Sequence, residues 1–337
     1  MGRIGKKLRT KRLWQALADI ARNKLRSKQS AIRLQSSVRS DNDRDTVKMT
    51  KVYKYFGPAV MEKVFEKDGF CGLRCSFPKD YNDPYELFLA MNLDVPVEQL
   101  AFYDDVIQEI PQLPTTCFSK SSIVSPMWAH YAENHTGFVV EFDLDVLKEE
   151  FSESPIWDVT YRREPNPELR KMLQRAEVLK KPRYSYLLSQ LVFKEAYFSK
   201  FEQWGYEQEC RYVDLAGRSE NVQGNEILYV PMDAVTSIIV GPSASEAVVA
   251  QSKQVAGDYC LDWFKLKIGR GVSDPYFLDE LADSYLFQDG VISQARDVCE
   301  SCSEPVSKNL SHCVWCSITD AQREVAAQSN PYRILES

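Results

Sequence analysis

Hydrophobic positions change period repeatedly along this chain. Val52, Tyr53, Tyr55 and Phe56 lie in a short β-prone run, after which Val60, Met61, Val64 and Phe65 recur at helical spacing up to Gly69, a residue suited to follow a helix end. Residues 70–77 predict a second strand and residues 78–84 a polar turn, in which Asn82 and Asp83 precede Pro84. Residues 86–113 read as acidic helical segments around a break at Pro96, residues 116–119 as a strand end, and residues 120–126 as a flexible connection. Trp128, Ala129, Tyr131 and Ala132 fit a short amphipathic helix. Phe138, Val140 and Phe142 then alternate with Val139 and Glu141, as in a half-buried strand. Residues 156–161 predict a strand, residues 167–200 two helices split at Pro182, and residues 203–213 another strand. Residues 226–231 and 235–240 add two strands, residues 245–256 a helix, and residues 258–268 a last strand. This mixture predicts an α+β body.

Composition narrows the class. A chain of 337 residues, 44% hydrophobic and 12% aromatic, is that of a globular protein with a sizeable core. No apolar run reaches the roughly 18 residues needed to cross a bilayer, so no transmembrane segment is expected. Nine cysteines without a signal-type apolar segment point to a reducing, cytoplasmic setting. Cys71, Cys75, Cys117, Cys210 and Cys260 lie in or beside apolar runs and read as buried structural thiols.

Charge is unevenly placed. Residues 1–40 carry twelve Lys or Arg against the single acid Asp19, a net of +11, so the overall −6 leaves −17 for residues 41–337. Leu13, Trp14, Leu17, Ile20, Ala21 and Leu25 recur at helical spacing within this basic arm. It could hold nucleic acid or an acidic surface, or serve only as a solvated arm. The expected organisation is a basic N-terminal arm and linker (1–50), an α+β domain (51–268), a helical connector (269–298) and a zinc-binding module (299–337).

Three groups of residues carry candidate chemistry. His130 and His135 fall on the short helix and the turn after it, beside Trp128 and Tyr131, so these side chains either line a pocket wall or plug the core under a turn. On a strand, Glu207 and Glu209 would share one face, about seven Å apart, an arrangement that needs a facing cation. Arg211 on that face could supply it at a sheet edge. Finally, Cys299 and Cys302 are followed ten residues later by Cys313 and Cys316, a spacing that supplies four thiolates for a tetrahedral structural zinc. His312 reads as a neighbour of this set. Lys308 is the only Lys or Arg between the first and last of these cysteines, which argues against strong phosphate contact. Residues 319–328 predict a helix capped from Thr319 or Asp320. No glycine-rich phosphate loop, dinucleotide fingerprint, nucleophile elbow or zinc-protease sequence is present.

Six motifs occur in order: Tyr53-Lys54-Tyr55, the run from Arg74 to Glu86, Cys117-Phe118-Ser119, the run from Met127 to Tyr131, the run from Gly137 to Phe142, and the run from Tyr206 to Arg211. Together they resemble the bacterial DUF2971 family over about residues 51–268, a family without a settled activity. The layout of residues 52–86 and the Glu207/Glu209 pair also look like ADP-ribosyltransferases of the DNA-modifying toxin type, with a split antiparallel sheet. That resemblance implies NAD as substrate, Glu209 steadying the nicotinamide ribose, Glu207 serving the acceptor and Lys54 standing where relatives carry histidine or arginine. It places Tyr55, Ser76, Asn82, Asp83, Ser119, Trp128, His130 and Tyr131 around the cofactor. The acceptor would be a macromolecule, nucleic acid or protein, in phage defence or a toxin system. The competing expectations are a catalytically inactive nucleic-acid or protein binding module, and a metal-dependent nuclease using Asp83, Glu86 and Glu141.

Overall fold

The structure, a computed structural model, describes residues 50–81, 94–271, 274–308 and 310–334. The basic arm, Asn82, Asp83 and Glu86 lie outside these described residues. In chain order the regular elements begin with β1 (Lys51–Phe56), the one-turn helix α1 (Met61–Val64), β2 (Phe70–Cys75), α2 (Val97–Gln108), β3 (Thr115–Ser119), α3 (Ser125–Tyr131) and β4 (Phe138–Asp143). They continue with α4 (Leu144–Glu150), β5 (Ile156–Asp158), β6 (Thr160–Arg162), α5 (Pro167–Leu179), α6 (Pro182–Phe198), β7 (Ser199–Phe201) and β8 (Glu209–Val213). The remainder are β9 (Glu220–Val222), β10 (Asn225–Pro231), β11 (Val235–Val240), α7 (Glu246–Tyr259), β12 (Asp262–Lys267), β13 (Tyr276–Leu278), β14 (Ser284–Gln288), β15 (Val291–Gln294), α8 (Asp320–Ser329) and α9 (Pro331–Ile334). The protein is therefore mixed α+β, and its chain divides into two interleaved units.

The first unit comprises the described residues up to Val52, Lys63–Lys120 and Asp143–Ala234. Three of its helices meet in an apolar core of Tyr103 and Val106 from α2, Leu169, Leu173 and Ala176 from α5, and Leu188, Val192 and Tyr197 from α6. Two prolines set this arrangement. Pro167 and Pro182 each occupy a first helical turn, where the missing N–H costs nothing, and Pro182 cannot extend α5. Lys180, at φ +46°, closes α5, and Asn166 caps its start by accepting from Glu168 N. Beside the helices, β8 pairs antiparallel with both β3 and β5, while β10 pairs antiparallel with β2 and β9. The short β6 and β7 are parallel, with Tyr161 opposite Lys200.

The second unit, Tyr53–Glu62, Ser121–Phe142 and Val235–Ser337, holds the strand order β15-β14-β13-β12-β11-β4-β1. β11 and β12 are parallel, so a crossover is required, and α7 provides it. Ser245 caps α7 by accepting from Val248 N, and the fully buried Ser252 on α7 accepts from Trp263 Nε1 of β12 at 2.8 Å.

Several sequence expectations are corrected here. The pairing is mixed rather than purely antiparallel, because β11–β12 and β6–β7 are parallel. β4 is buried on both faces rather than one, Glu141 included, as a strand flanked by β11 and β1 becomes when both of its faces are covered. Residues 276–294 form three strands in place of a helical connector, so β12 is not the last strand. Their acidic composition suggested helix, but β13 takes its backbone partners from β12, which lies outside the segment. The stripe before Gly69 forms a 3-10 turn and the four-residue α1, not one helix to Asp68. Cys260 is exposed, since it is the left-handed residue that ends α7, and Cys117 is half-buried.

Candidate functional site

The segment leading into β8 does not run as a strand from residue 203. Glu202–Glu207 is a 3-10 helix, Gln208 follows in the left-handed conformation at φ +46°, and β8 begins only at Glu209. Glu207 and Glu209 therefore do not share a face through strand alternation. They meet because the turn aims both carboxylates at one ammonium: Lys200 Nζ donates to Glu207 Oε2 at 2.7 Å and to Glu209 Oε2 at 3.4 Å. Lys200 comes from β7 at the end of α6, and no local pattern marked it.

Arg211, two residues along β8, completes the group. Its Nε donates to Glu209 Oε1 at 2.6 Å and its Nη2 to Glu209 Oε2 at 2.9 Å, a forked pair. Its Nη1 donates to the Tyr197 carbonyl at 3.0 Å, and the guanidinium lies 5.1 Å from the centre of the Tyr81 ring. The anticipated Arg211–Glu209 pairing is present, but in the interior, since Arg211 is 1% and Glu209 5% exposed. Within this group each carboxylate faces a cation, and that mutual compensation offsets the cost of burying ionised groups.

Electrostatics around Glu209 follow from this geometry. Burial alone pushes its carboxyl up, but the Arg211 charge and hydrogen bonds, then Lys200 and the Cys117 thiol, outweigh that and bring it down to about 2. The Glu209 N–H donates to Tyr161 Oη at 2.8 Å, and burial holds the Tyr161 hydroxyl well above its usual range. Trp204 lies half-buried against the same group, with Lys200 Nζ 4.7 Å from its ring centre. Of the other first-unit residues, Ser119 is buried opposite Glu209 in the β3–β8 register, and Ser76 exchanges two backbone bonds with Thr115.

In the second unit, Lys54 is half-buried on β1, and Tyr55 is buried with its hydroxyl donating to the Ser121 carbonyl at 2.9 Å. Trp128 is fully buried, its Nε1 donates to the Ser122 carbonyl at 2.7 Å, and Tyr55 meets its ring edge-on. It offers no open face for stacking a ligand. His130 is exposed and Tyr131 half-buried; the histidine that lies parallel to Trp128 is His135, at 6.3 Å. Glu133, Asn134 and His135 all have positive φ, and this left-handed turn is pinned by His135 N donating to the Trp128 carbonyl and Ser243 N to that of His135. The consecutive left-handed residues were not legible beforehand, because none of the three is glycine. Glu141 accepts from Thr236 Oγ1 in the buried sheet.

The C-terminal cysteines converge as their spacing required. The Sγ atoms of Cys299, Cys302, Cys313 and Cys316 all lie within 4.8 Å of one another, so the four could hold a metal ion. Cys302 Sγ and Cys313 Sγ are 3.8 Å apart, which is the edge of a tetrahedron with metal–sulfur bonds of about 2.3 Å. Cys316 N–H donates to Cys313 Sγ at 3.4 Å. Burial pushes the Cys299 thiol up, but converging N–H groups of Cys313, Ser301 and Cys302 bring it down to about 6, whereas burial holds the Cys302 thiol up and hydrogen bonds to Cys313 and Cys302 push that of Cys316 up, so the sulfurs share their protons as a set. His312 accompanies Ser311 rather than the sulfurs. Among the described residues this is the one His/Cys/Asp/Glu group arranged to hold a metal. Thr319 caps the following α8, with Gln322 completing a capping box.

Residues 127–212, from α3 through most of β8, match the family model described as Protein of unknown function (DUF2971). No curated protein and no solved structure matches the chain. No helix among the described residues is long and apolar enough to cross a membrane.

Proposed function

From the DUF2971 match and the buried carboxylates at its end, we propose that the protein transfers ADP-ribose from NAD to a macromolecule, with Glu209 as the stabilising carboxylate. One observation carries this reading: Glu209 is buried, held in place by the Arg211 fork, and kept ionised down to about pH 2. A group so acidic is unsuited to proton transfer near neutrality, which needs a pKa close to the working pH. It is suited to electrostatic work. Loosening the nicotinamide–ribose bond builds positive charge on the sugar, and a preorganised carboxylate stabilises that charge without having to reorganise. Glu207, anchored through the same lysine, would serve the acceptor.

The test is incubation of the full chain and its Glu209→Gln variant with labelled NAD and bacterial lysate. Nicotinamide release should fall at least 100-fold in the variant, and the labelled fraction should identify the acceptor as nucleic acid or protein. No release from either protein would reject the transferase. A second reading, an inactive binding module, is favoured by the way Arg211 and Lys200 already engage both oxygens of Glu209. The nuclease reading draws no support from Glu141, which bonds Thr236 and belongs to no metal-holding group among the described residues.

We also propose that the four-cysteine cluster holds zinc in a structural role. Four thiolates close a tetrahedral site and leave no position for substrate, so the ion would fold the segment from Cys299 to Cys316 rather than react. One zinc per chain by elemental analysis, lost in Cys302→Ser, is the expected result.

A further inference from the structure

The α5–α6 hairpin of the first unit ends in a surface that its own core does not use. The two helices share the core through Leu173 and Ala176 of α5 and Leu188 and Val192 of α6, all buried. Beyond those residues the chain turns through Lys180 and Lys181, and the tip it forms is both apolar and cationic. Val178 is 69% exposed, Leu179 44%, and Leu187, in the second turn of α6, 41%. Side chains three or four positions apart lie together on a helix, so Arg175 stands beside Val178 and Leu179, and Arg183 beside Leu187. Arg175, Lys180, Lys181 and Arg183 are all exposed. Among the described residues none of these four cations forms an ion pair. By contrast Lys67, Lys120, Arg163 and Arg218 of the same unit each face a carboxylate. Residues 175–187 thus carry four cations against the single acid Glu177, a net of +3, within residues 41–337 that sum to −17.

We infer that this hairpin tip is a docking surface for an anionic lipid membrane, with Val178, Leu179 and Leu187 entering the acyl boundary and the four cations meeting the headgroups. Each half of the surface accounts for the other. Exposed aliphatic side chains gain from contact with hydrocarbon, and the cations around them gain from the negative surface potential of acidic lipid. Long lysine and arginine stems let the charges reach the phosphates while the aliphatic residues sit deeper. A nucleic acid would use only the cations. Its bases are held by stacking on aromatic rings, and the ring at this tip, Tyr184, is half-buried with the Arg183 guanidinium 4.7 Å from its centre. The docking surface is independent of the transferase reading and needs no nucleotide.

The test incubates the full chain with vesicles of phosphatidylcholine alone, and of phosphatidylcholine and phosphatidylglycerol in equal parts, and measures the bound fraction by flotation. Wild type should bind the anionic vesicles at least tenfold more tightly than the neutral ones. Val178→Ser with Leu179→Ser, and separately Lys181→Gln with Arg183→Gln, should each lose at least tenfold in affinity for the anionic vesicles. All four side chains are exposed, so both variants should melt as wild type does. Insertion is read directly in Val178→Trp, whose emission should be quenched by brominated acyl chains beyond the level seen for wild type. No binding by wild type overturns the proposal. Equal binding by wild type and both tip variants also overturns it and assigns attachment to another part, such as the basic arm. Duplex DNA binding that the tip variants lose, with vesicles left unbound, makes the tip a nucleic-acid surface and overturns it as well. If a tip variant fails to fold, the Val178→Trp quenching decides, and no excess over wild type sinks the idea.

Discussion

Replacing Arg211 by methionine removes a guanidinium that is 1% exposed and leaves Glu209, 5% exposed, with Lys200 as its remaining cation. Two routes give the size of the loss. Lowering the Glu209 carboxyl from 4.5 to about 2 on folding corresponds to about 3 kcal/mol at neutral pH, an order-of-magnitude figure. Removing one partner of a buried ion pair costs about 3–5 kcal/mol by general experience. Because the folded-state value is depressed, this stability is complete above about pH 4.5 and is lost as pH falls toward 2. In Arg211→Met the burial that pushes the carboxyl up loses its main counterweight, so acid sensitivity should move to higher pH. Urea unfolding followed by intrinsic tryptophan fluorescence, repeated between pH 3 and 7, measures both effects. A second variant carrying Arg211→Met with Glu209→Leu should recover most of the loss, since both members of the forked pair are then removed together. A loss below ~1 kcal/mol, the value typical of exposed pairs, would refute the claim that the network is a desolvated unit. So would a double variant no more stable than the single one.

Gly137→Ala and Gly241→Ala would each drive a Cβ onto a backbone oxygen, of Phe56 and His135 respectively, and should each cost about 2–3 kcal/mol in thermal or urea unfolding. Gly257→Ala, in α7 with nothing near its added methyl, should instead stabilise by about 0.5–1 kcal/mol. Trp128→Phe keeps the ring contact with Tyr55 but strands the Ser122 carbonyl, and should cost about 1–3 kcal/mol by the same assay. Chelation should disturb the environment of Trp315, whose Nε1 donates to the Arg270 carbonyl at 2.6 Å; a fluorescence change reversed by added zinc is expected, and none at all would count against the metal site.

Short-range features were legible because they depend on neighbours in the chain. Pro182 splits α5 from α6 through its own ring, Thr319 caps α8 through its own hydroxyl, and the paired cysteines carry their spacing into the metal geometry. The helix carrying His130 and the turn carrying His135 were legible for the same reason. Other features depended on partners remote in sequence. β13 is a strand because β12 supplies its hydrogen bonds, and Trp128 is sealed because Tyr55 and Ser122 close over it, so it is no ligand platform. Glu207 and Glu209 were marked by their spacing, yet a 3-10 turn, a left-handed Gln208 and a lysine from the end of α6 bring them together. The sequence by itself determined which charged groups are present near β8 and that they need a counter-charge. Only the tertiary structure decided that this counter-charge is internal and buried, because desolvation is set by everything packed around a group and not by the residues beside it in the chain.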